Sequence, residues 1–194
     1  MRYHQQSQCP FYNCPYNNDK NVISNPMKRR RAVANITGGP LAPSIRGTVT
    51  FTEVPGGTVV SVEMNGLPPY KPASQGKPQV GPHGFHIHES GNCILDKQTE
   101  PFMATGGHWN PTNQSHGNHA GDFPVLFSND GYARMTFFTN KFTVKQLIGK
   151  AIIVHEGPDD YKKQPAGGAG RRLACGVIEG MDWKISLTEF ATDL

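Results

Sequence analysis

The sequence predicts an all-β domain, an antiparallel sandwich or barrel, and three features carry that prediction. Short β-branched runs recur along most of the chain, Gly and Pro bound them, and only Thr143–Ile148 has a helical look. The first runs are Ala32–Ile36, Arg46–Val54 and Thr58–Met64, the last two joined by Pro55-Gly56-Gly57, a short glycine-containing hairpin connection. Gly84–His88, Val125–Phe127, Tyr132–Phe138, Ala151–His155 and Ala174–Ile178 follow, which makes eight strand candidates. Two connections, Glu89–Pro124 and Glu156–Arg172, are long and irregular, and loops of that kind inside a compact domain are usually functional. A third, Pro68–Pro82, is rich in Pro, Gly and Lys and reads as a surface insertion.

A chain of 194 residues accommodates one well-cored domain together with an extension of different composition. Residues 1–31 are rich in Asn, Gln, Pro and charge and poor in aliphatic side chains, too little apolar surface to offset the entropy of ordering. They are read as a flexible basic N-terminal extension, and 32–194 as the domain. The formal net charge of +4 belongs to that extension: Arg2, Lys20, Lys28, Arg29, Arg30 and Arg31 against Asp19 give +5 and leave −1 for the rest. Charge therefore says little about what the domain binds. The run Lys28–Arg31 more often keeps a tail solvated, with contact to nucleic acid or an anionic surface as the alternative.

The eight histidines have different contexts. His86 and His88 form a His-x-His pair in a strand-like run, and the strand period of two puts both rings on one face. Alone, such a pair reads as a solvated strand face. It is not alone, because Gly107-His108-Trp109-Asn110-Pro111 leads into His116-Gly117-Asn118-His119-Ala120-Gly121-Asp122. Three imidazoles and a carboxylate suit tetrahedral zinc, and a Gly-rich loop can bend enough to converge them. His155 ends the apolar run Ala151–Val154 and can complete an imidazole-only site with His86 and His88, a donor set suited to copper.

Four blocks, HGFHIHESGNC (83–93), GGHWNP with HGNHAGD (106–122), IIVHEGPDD (152–160) and GRRLACGVI (170–178), resemble the copper/zinc superoxide dismutase family in content and order, over a span from about Ala32 to Ile178. The resemblance implies a Greek-key antiparallel β-sandwich or flattened barrel, immunoglobulin-like with eight strands and two long functional loops. It implies copper on His86, His88, His108 and His155, and zinc on His108, His116, His119 and Asp122, with His108 bridging the two ions. It further implies a Cys93–Cys175 disulfide, Arg172 as the arginine that guides the anionic substrate, and Asp159 as a carboxylate joining copper and zinc ligands. His83 matches a structural histidine of the family. The implied reaction is the two-step dismutation of superoxide to oxygen and hydrogen peroxide, with copper cycling between two oxidation states and His108 carrying a proton.

Three features depart from the family pattern. Only Gly117-Asn118 separates His116 from His119, the stretch from Cys93 to His108 is longer than in the common eukaryotic members and closer to bacterial ones, and Lys162 and Lys163 stand where many eukaryotic relatives are acidic. A copper-binding or copper-delivering protein that has lost turnover is the competing reading, as is a structural protein stabilised by metal. The first would be expected to lack a copper ligand or the guiding arginine, and here all are present. Cys9 and Cys14 form a second disulfide, a weak metal clip or two free thiols. No apolar run is long enough to cross a bilayer, and the N-terminus shows no secretory signal. That absence favours the cell interior, whereas the disulfide is compatible with an exported or surface protein. A homodimer is a further expectation that the strands do not localise.

Overall fold

The computed structural model describes residues 29–181. Seven strands form one antiparallel sheet: β1 (Arg31–Gly38), β2 (Arg46–Val54), β3 (Gly57–Asn65), β4 (Phe85–His88), β5 (Ala133–Thr139), β6 (Ala151–His155) and β7 (Arg172–Met181). Their spatial order is β4-β6-β7-β1-β2-β3-β5, so the chain crosses from one end of the sheet to the other between β3 and β4 and again between β5 and β6. Those crossings give the Greek-key character. The sheet curls around a single core, because inward residues from every strand, among them Ala34, Phe51, Val62, Phe85, Ala133, Val154 and Ile178, belong to one buried cluster.

The eighth expected strand does not form among the described residues. Val125–Phe127 supplies only an isolated bridge, Leu126 opposite His83. Pro124 has no N–H to give a ladder, and the Val125 N–H donates instead to the Tyr161 hydroxyl at 2.9 Å. The hairpin between β2 and β3 is also one residue tighter than expected. Val54 pairs with Gly57, leaving Pro55-Gly56 at the corner, where Gly56 takes a φ of 85° that glycine adopts without strain. The weak helical signal becomes a single turn, α1 (Val144–Leu147), whose Gln146 side chain accepts the Thr143 N–H at 2.8 Å. Pro68–Pro82 is a largely exposed excursion held by bridges Lys71–Val80 and Ser74–Lys77.

Two strands are buried on both faces, which explains the placement of the site. In β6, Ile152 and Val154 point into the main core, while Ala151 and Ile153 pack with Phe102, Cys175 and Cys93. In β4, Phe85 and Ile87 enter the core. Alternation then turns His86, His88 and His155 to the opposite face, beneath the long loops. The Cys93–Cys175 disulfide is present, with Cα atoms 5.8 Å apart, and it pins the first long loop to β7. Cys9, Cys14 and Arg2 to Lys28 lie outside the described residues.

Candidate metal centre

His86, His88, His108 and His155 each present a ring nitrogen to a common point, and these atoms lie within 4.8 Å of one another. A second group with the same spread joins His108 to His116, His119 and Asp122. His108 therefore belongs to both. The first long loop delivers its share by adding to the sheet edge: His88 bridges His108 and His86 bridges Asp122, which carries the loop's ligands alongside β4. The turn after His116 is closed by one carboxylate, since Asp122 Oδ2 accepts the Gly117 N–H at 2.8 Å and the His119 N–H at 3.0 Å.

The second nitrogen of most rings is tied down. His88 Nδ1 donates to the Gly106 carbonyl at 2.9 Å and His155 Nδ1 to the Gly170 carbonyl at 3.1 Å, which leaves their Nε2 atoms facing each other at 3.4 Å. Asp159, its side chain fully buried, holds His86 Nε2 at 2.7 Å on one oxygen and His116 Nε2 at 2.8 Å on the other. His108 Nδ1 points to Asp122 Oδ1 at 2.9 Å. What remains is informative. The Nδ1 atoms of His86, His116 and His119 are buried without a hydrogen-bond partner, although those of His116 and His119 lie 3.2 and 3.3 Å from Asp122 oxygens. Orphaned buried nitrogens cost free energy unless something else satisfies them, and their convergence on shared points fits a coordinated cation. The donor chemistry matches as well: imidazoles only in one group, and three imidazoles with a carboxylate in the other.

Protonation states agree. Burial, reinforced by the neighbouring His155 and His108, drives His86 and His88 well below the ordinary imidazole range. Burial also brings His155 down to about 3. These rings are neutral at pH 7, the state that offers a lone pair to a metal. At Asp122 burial pushes upward, but the hydrogen bond with His108 and the nearby His116 prevail and hold the carboxyl below its usual range.

A cleft of about 470 Å³ opens over the imidazole-only group, with His88, His108, His155 and Arg172 in its wall. Arg172 stands opposite His155 in the β6–β7 register, so the strand pairing itself places a cation beside the cluster. Its guanidinium is anchored by the Phe102 and Gly106 carbonyls at 2.7 and 2.8 Å. Arg171 also lines the cleft, but its guanidinium is taken up by Glu156, on which it forks at 2.8 and 2.6 Å. His83 is buried but belongs to neither group; its Nδ1 meets the His155 carbonyl at 2.9 Å and it braces that strand end.

Some contacts had no signature in the sequence. Gln164 accepts the His116 N–H at 2.8 Å and donates to the His116 carbonyl at 3.3 Å, across 48 positions of chain that no local pattern connects. Thr105 reaches Arg172 at 2.9 Å from a segment read only as loop. The Glu156–Arg171 pair was within reach, because strands that place His155 opposite Arg172 bring the next residue of one strand beside the preceding residue of the other.

A curled antiparallel sheet carrying an imidazole-only site and a histidine-carboxylate site with one ring in common defines a two-metal β-sandwich protein. Comparison with known proteins takes this one step further. Residues 45–178 match the profile described as copper/zinc superoxide dismutase. A Superoxide dismutase [Cu-Zn] of Deinococcus radiodurans is 36% identical over 156 residues, covering 71% of this chain and 79% of that one. One from Photobacterium leiognathi is 35% identical, covering 74% and 81%. Among solved structures, a double mutant of an SOD-like protein from Bacillus subtilis matches with a TM-score of 0.59 and 29% identity, over 76% of this chain and 97% of that one. The chain belongs to the copper/zinc superoxide dismutase family, oxidoreductases whose cofactors are copper and zinc. No helix among the described residues is long and apolar enough to cross a membrane.

Proposed function

We propose that this chain dismutates superoxide with copper held by His86, His88, His108 and His155, and zinc held by His108, His116, His119 and Asp122. The observation that carries the assignment is the convergence of buried donor atoms within two groups that share one ring, with the Nδ1 atoms of His86, His116 and His119 left without a hydrogen-bond partner. When bound, copper supplies the redox chemistry, oxidising one superoxide to oxygen and reducing a second, with two protons, to hydrogen peroxide, while zinc has no redox states of its own.

The chain's own residues do the rest. Gly106 and Gly170 fix which nitrogen of His88 and His155 faces the metal, and Asp159 does so for His86 and His116 at once, tying the two sites into one frame. His108, with Nδ1 directed to the zinc side, has its other nitrogen positioned to carry a proton toward the reduced product. Arg172 presents fixed positive charge at the cleft wall, where an anion approaches. The same reading takes 1–31 as an extension and 32–194 as the domain. It includes a homodimer, for which exposed Ile94, Leu95, Phe127 and Phe138 offer apolar contact and sedimentation velocity provides the check. It also includes a contact of the basic N-terminal run with nucleic acid or an anionic surface.

The deciding experiment loads purified protein with copper and zinc and measures superoxide decay. Full copper occupancy with activity no greater than that of chelated free copper would overturn the proposal in favour of a copper-binding protein on the same fold.

A further inference from the structure

We infer that Thr105 is a positioning residue for the substrate-guiding arginine, its buried hydroxyl fixing the Arg172 guanidinium against the wall of the cleft. The inference rests on the role given to Arg172 above. Thr105 closes the 3₁₀ turn Met103–Thr105 and is wholly buried. Its hydroxyl donates to the Phe102 carbonyl at 2.8 Å, which leaves lone pairs on Oγ1 to accept from Arg172 Nη1 at 2.9 Å. The same Nη1 donates to the Phe102 carbonyl at 2.7 Å, and Nη2 to the Gly106 carbonyl at 2.8 Å. Both Nη1 hydrogens are thus occupied, and only Nη2 and Nε keep a hydrogen for an incoming anion.

Two of those three acceptors are main-chain carbonyls, which a loop of any composition could present. The hydroxyl is the side-chain acceptor that Arg172 finds among the described residues. Together with the Gly106 carbonyl, it also relates the cation to the imidazole cluster. Thr105 Oγ1 lies 3.4 Å from His88 Nδ1, and the Gly106 carbonyl that takes the His88 proton at 2.9 Å is the one that accepts from Arg172 Nη2. One short turn therefore sets both the ring and the guanidinium. Without the hydroxyl, Arg172 keeps a single bond on each terminal nitrogen and can swing about the pair. A cation that swings presents its free hydrogens less often in the geometry an anion needs.

The test uses the full chain loaded with copper and zinc. Thr105→Val removes the hydroxyl at nearly constant volume and Thr105→Ser retains it. Azide titrated against the Cu(II) visible band should bind about threefold to tenfold more weakly in Thr105→Val, with metal content unchanged, and near wild-type strength in Thr105→Ser. In an Arg172→Ala background Thr105→Val should have no further effect, because it acts through the arginine. In metal-free protein the Arg172 guanidinium protons should exchange with solvent faster in Thr105→Val than in wild type. Wild-type azide affinity and exchange in Thr105→Val would overturn the inference. So would a Thr105→Val effect that persists undiminished without Arg172, which would assign the hydroxyl to His88 or to packing. Should Thr105→Val fail to fold, Thr105→Ala takes its place against Thr105→Ser. The exchange measurement needs no copper, so a protein without dismutase activity would sink the proposed function and leave the positioning role to stand on its own result.

Discussion

Removing the Cys93–Cys175 disulfide by replacing both residues with Ala should cost the metal-free domain several kilocalories. The bridge spans a sequence separation of 82 residues, and the chain-entropy relation for a loop of that size gives about 4.5 kcal/mol at 25 °C. Little else stands in for it, because the loop side of the outer cluster is Phe102 and Cys93 against Ala151, Ile153 and Cys175. With a urea slope of about 2 kcal/mol per molar, the unfolding midpoint should fall by about 2 M. The assay is equilibrium urea unfolding of metal-free protein, followed by circular dichroism, with the wild-type pairing verified by non-reducing mass mapping. A midpoint shift under about 0.5 M at an unchanged slope would refute the entropic argument. Mass mapping that joined Cys93 to a different cysteine would refute the pairing. The loss should also reach the cleft, since the segment released carries the Phe102 and Gly106 carbonyls that hold Arg172.

Arg172→Ala should leave copper and zinc content nearly unchanged, lower the rate by about tenfold or more and weaken competition by small anions, whereas His155→Ala should lower copper occupancy itself. Arg171 is the neighbouring control: it is about half exposed and paired to Glu156, so Arg171→Ala should cost at most about 1 kcal/mol of stability and little rate. Equal harmlessness of the two arginine variants at full copper loading would sink the guiding role. The metal-free protein should lose stability as pH falls below about 6.5, because His86, His88 and His155 are depressed in the folded state and the unfolded chain binds protons first. From His155 alone the loss is about 2 kcal/mol at pH 5, and a urea midpoint flat between pH 7 and 5 would contradict it. Gln164→Ala should weaken zinc retention by about tenfold against a chromophoric chelator while copper stays put; unchanged zinc affinity would show that the His116 backbone needs no clamp.

The strand pattern was legible because its cause is local. Apolar runs with alternating burial, as in Val60, Val62 and Met64, carry their own periodicity, and Pro55-Gly56 marks a corner. Val125–Phe127 has the same residue types and fails as a strand, since whether a run pairs depends on which N–H groups find a ladder, and that is decided by a tyrosine far along the chain. The candidate ligands were legible for a different reason: a metal site demands particular donor atoms, so His and Asp stand out wherever they sit. Thr105 and Gln164 did not stand out. Their contribution lies in hydrogen bonds across 67 and 48 positions, and neither residue type has chemistry restricted to such a role.

The two-residue spacer between His116 and His119 shows how the rest of the fold substitutes for loop length. Gly117 turns the chain at a φ of 91°, and a Cβ there would run into the Tyr161 carbonyl, so the tight turn needs glycine on two counts. Asp122 gathers the Gly117 and His119 N–H groups, the Lys141 ammonium holds the His119 carbonyl at 3.2 Å, and Gln164 brackets His116 from the opposite loop. A short turn that would otherwise splay its ligands is thereby held from three sides. The consequence is that both long loops serve both metal groups. The first, through Phe102, Thr105 and Gly106, orients the copper-side ring and the guiding cation. The second orients His86 and His155 on the copper side through Asp159 and Gly170, and His116 on the zinc side through Asp159 and Gln164. Loosening either loop therefore disturbs the cleft and both metal groups together, because the first carries the zinc-side ligands and the second braces rings of both groups.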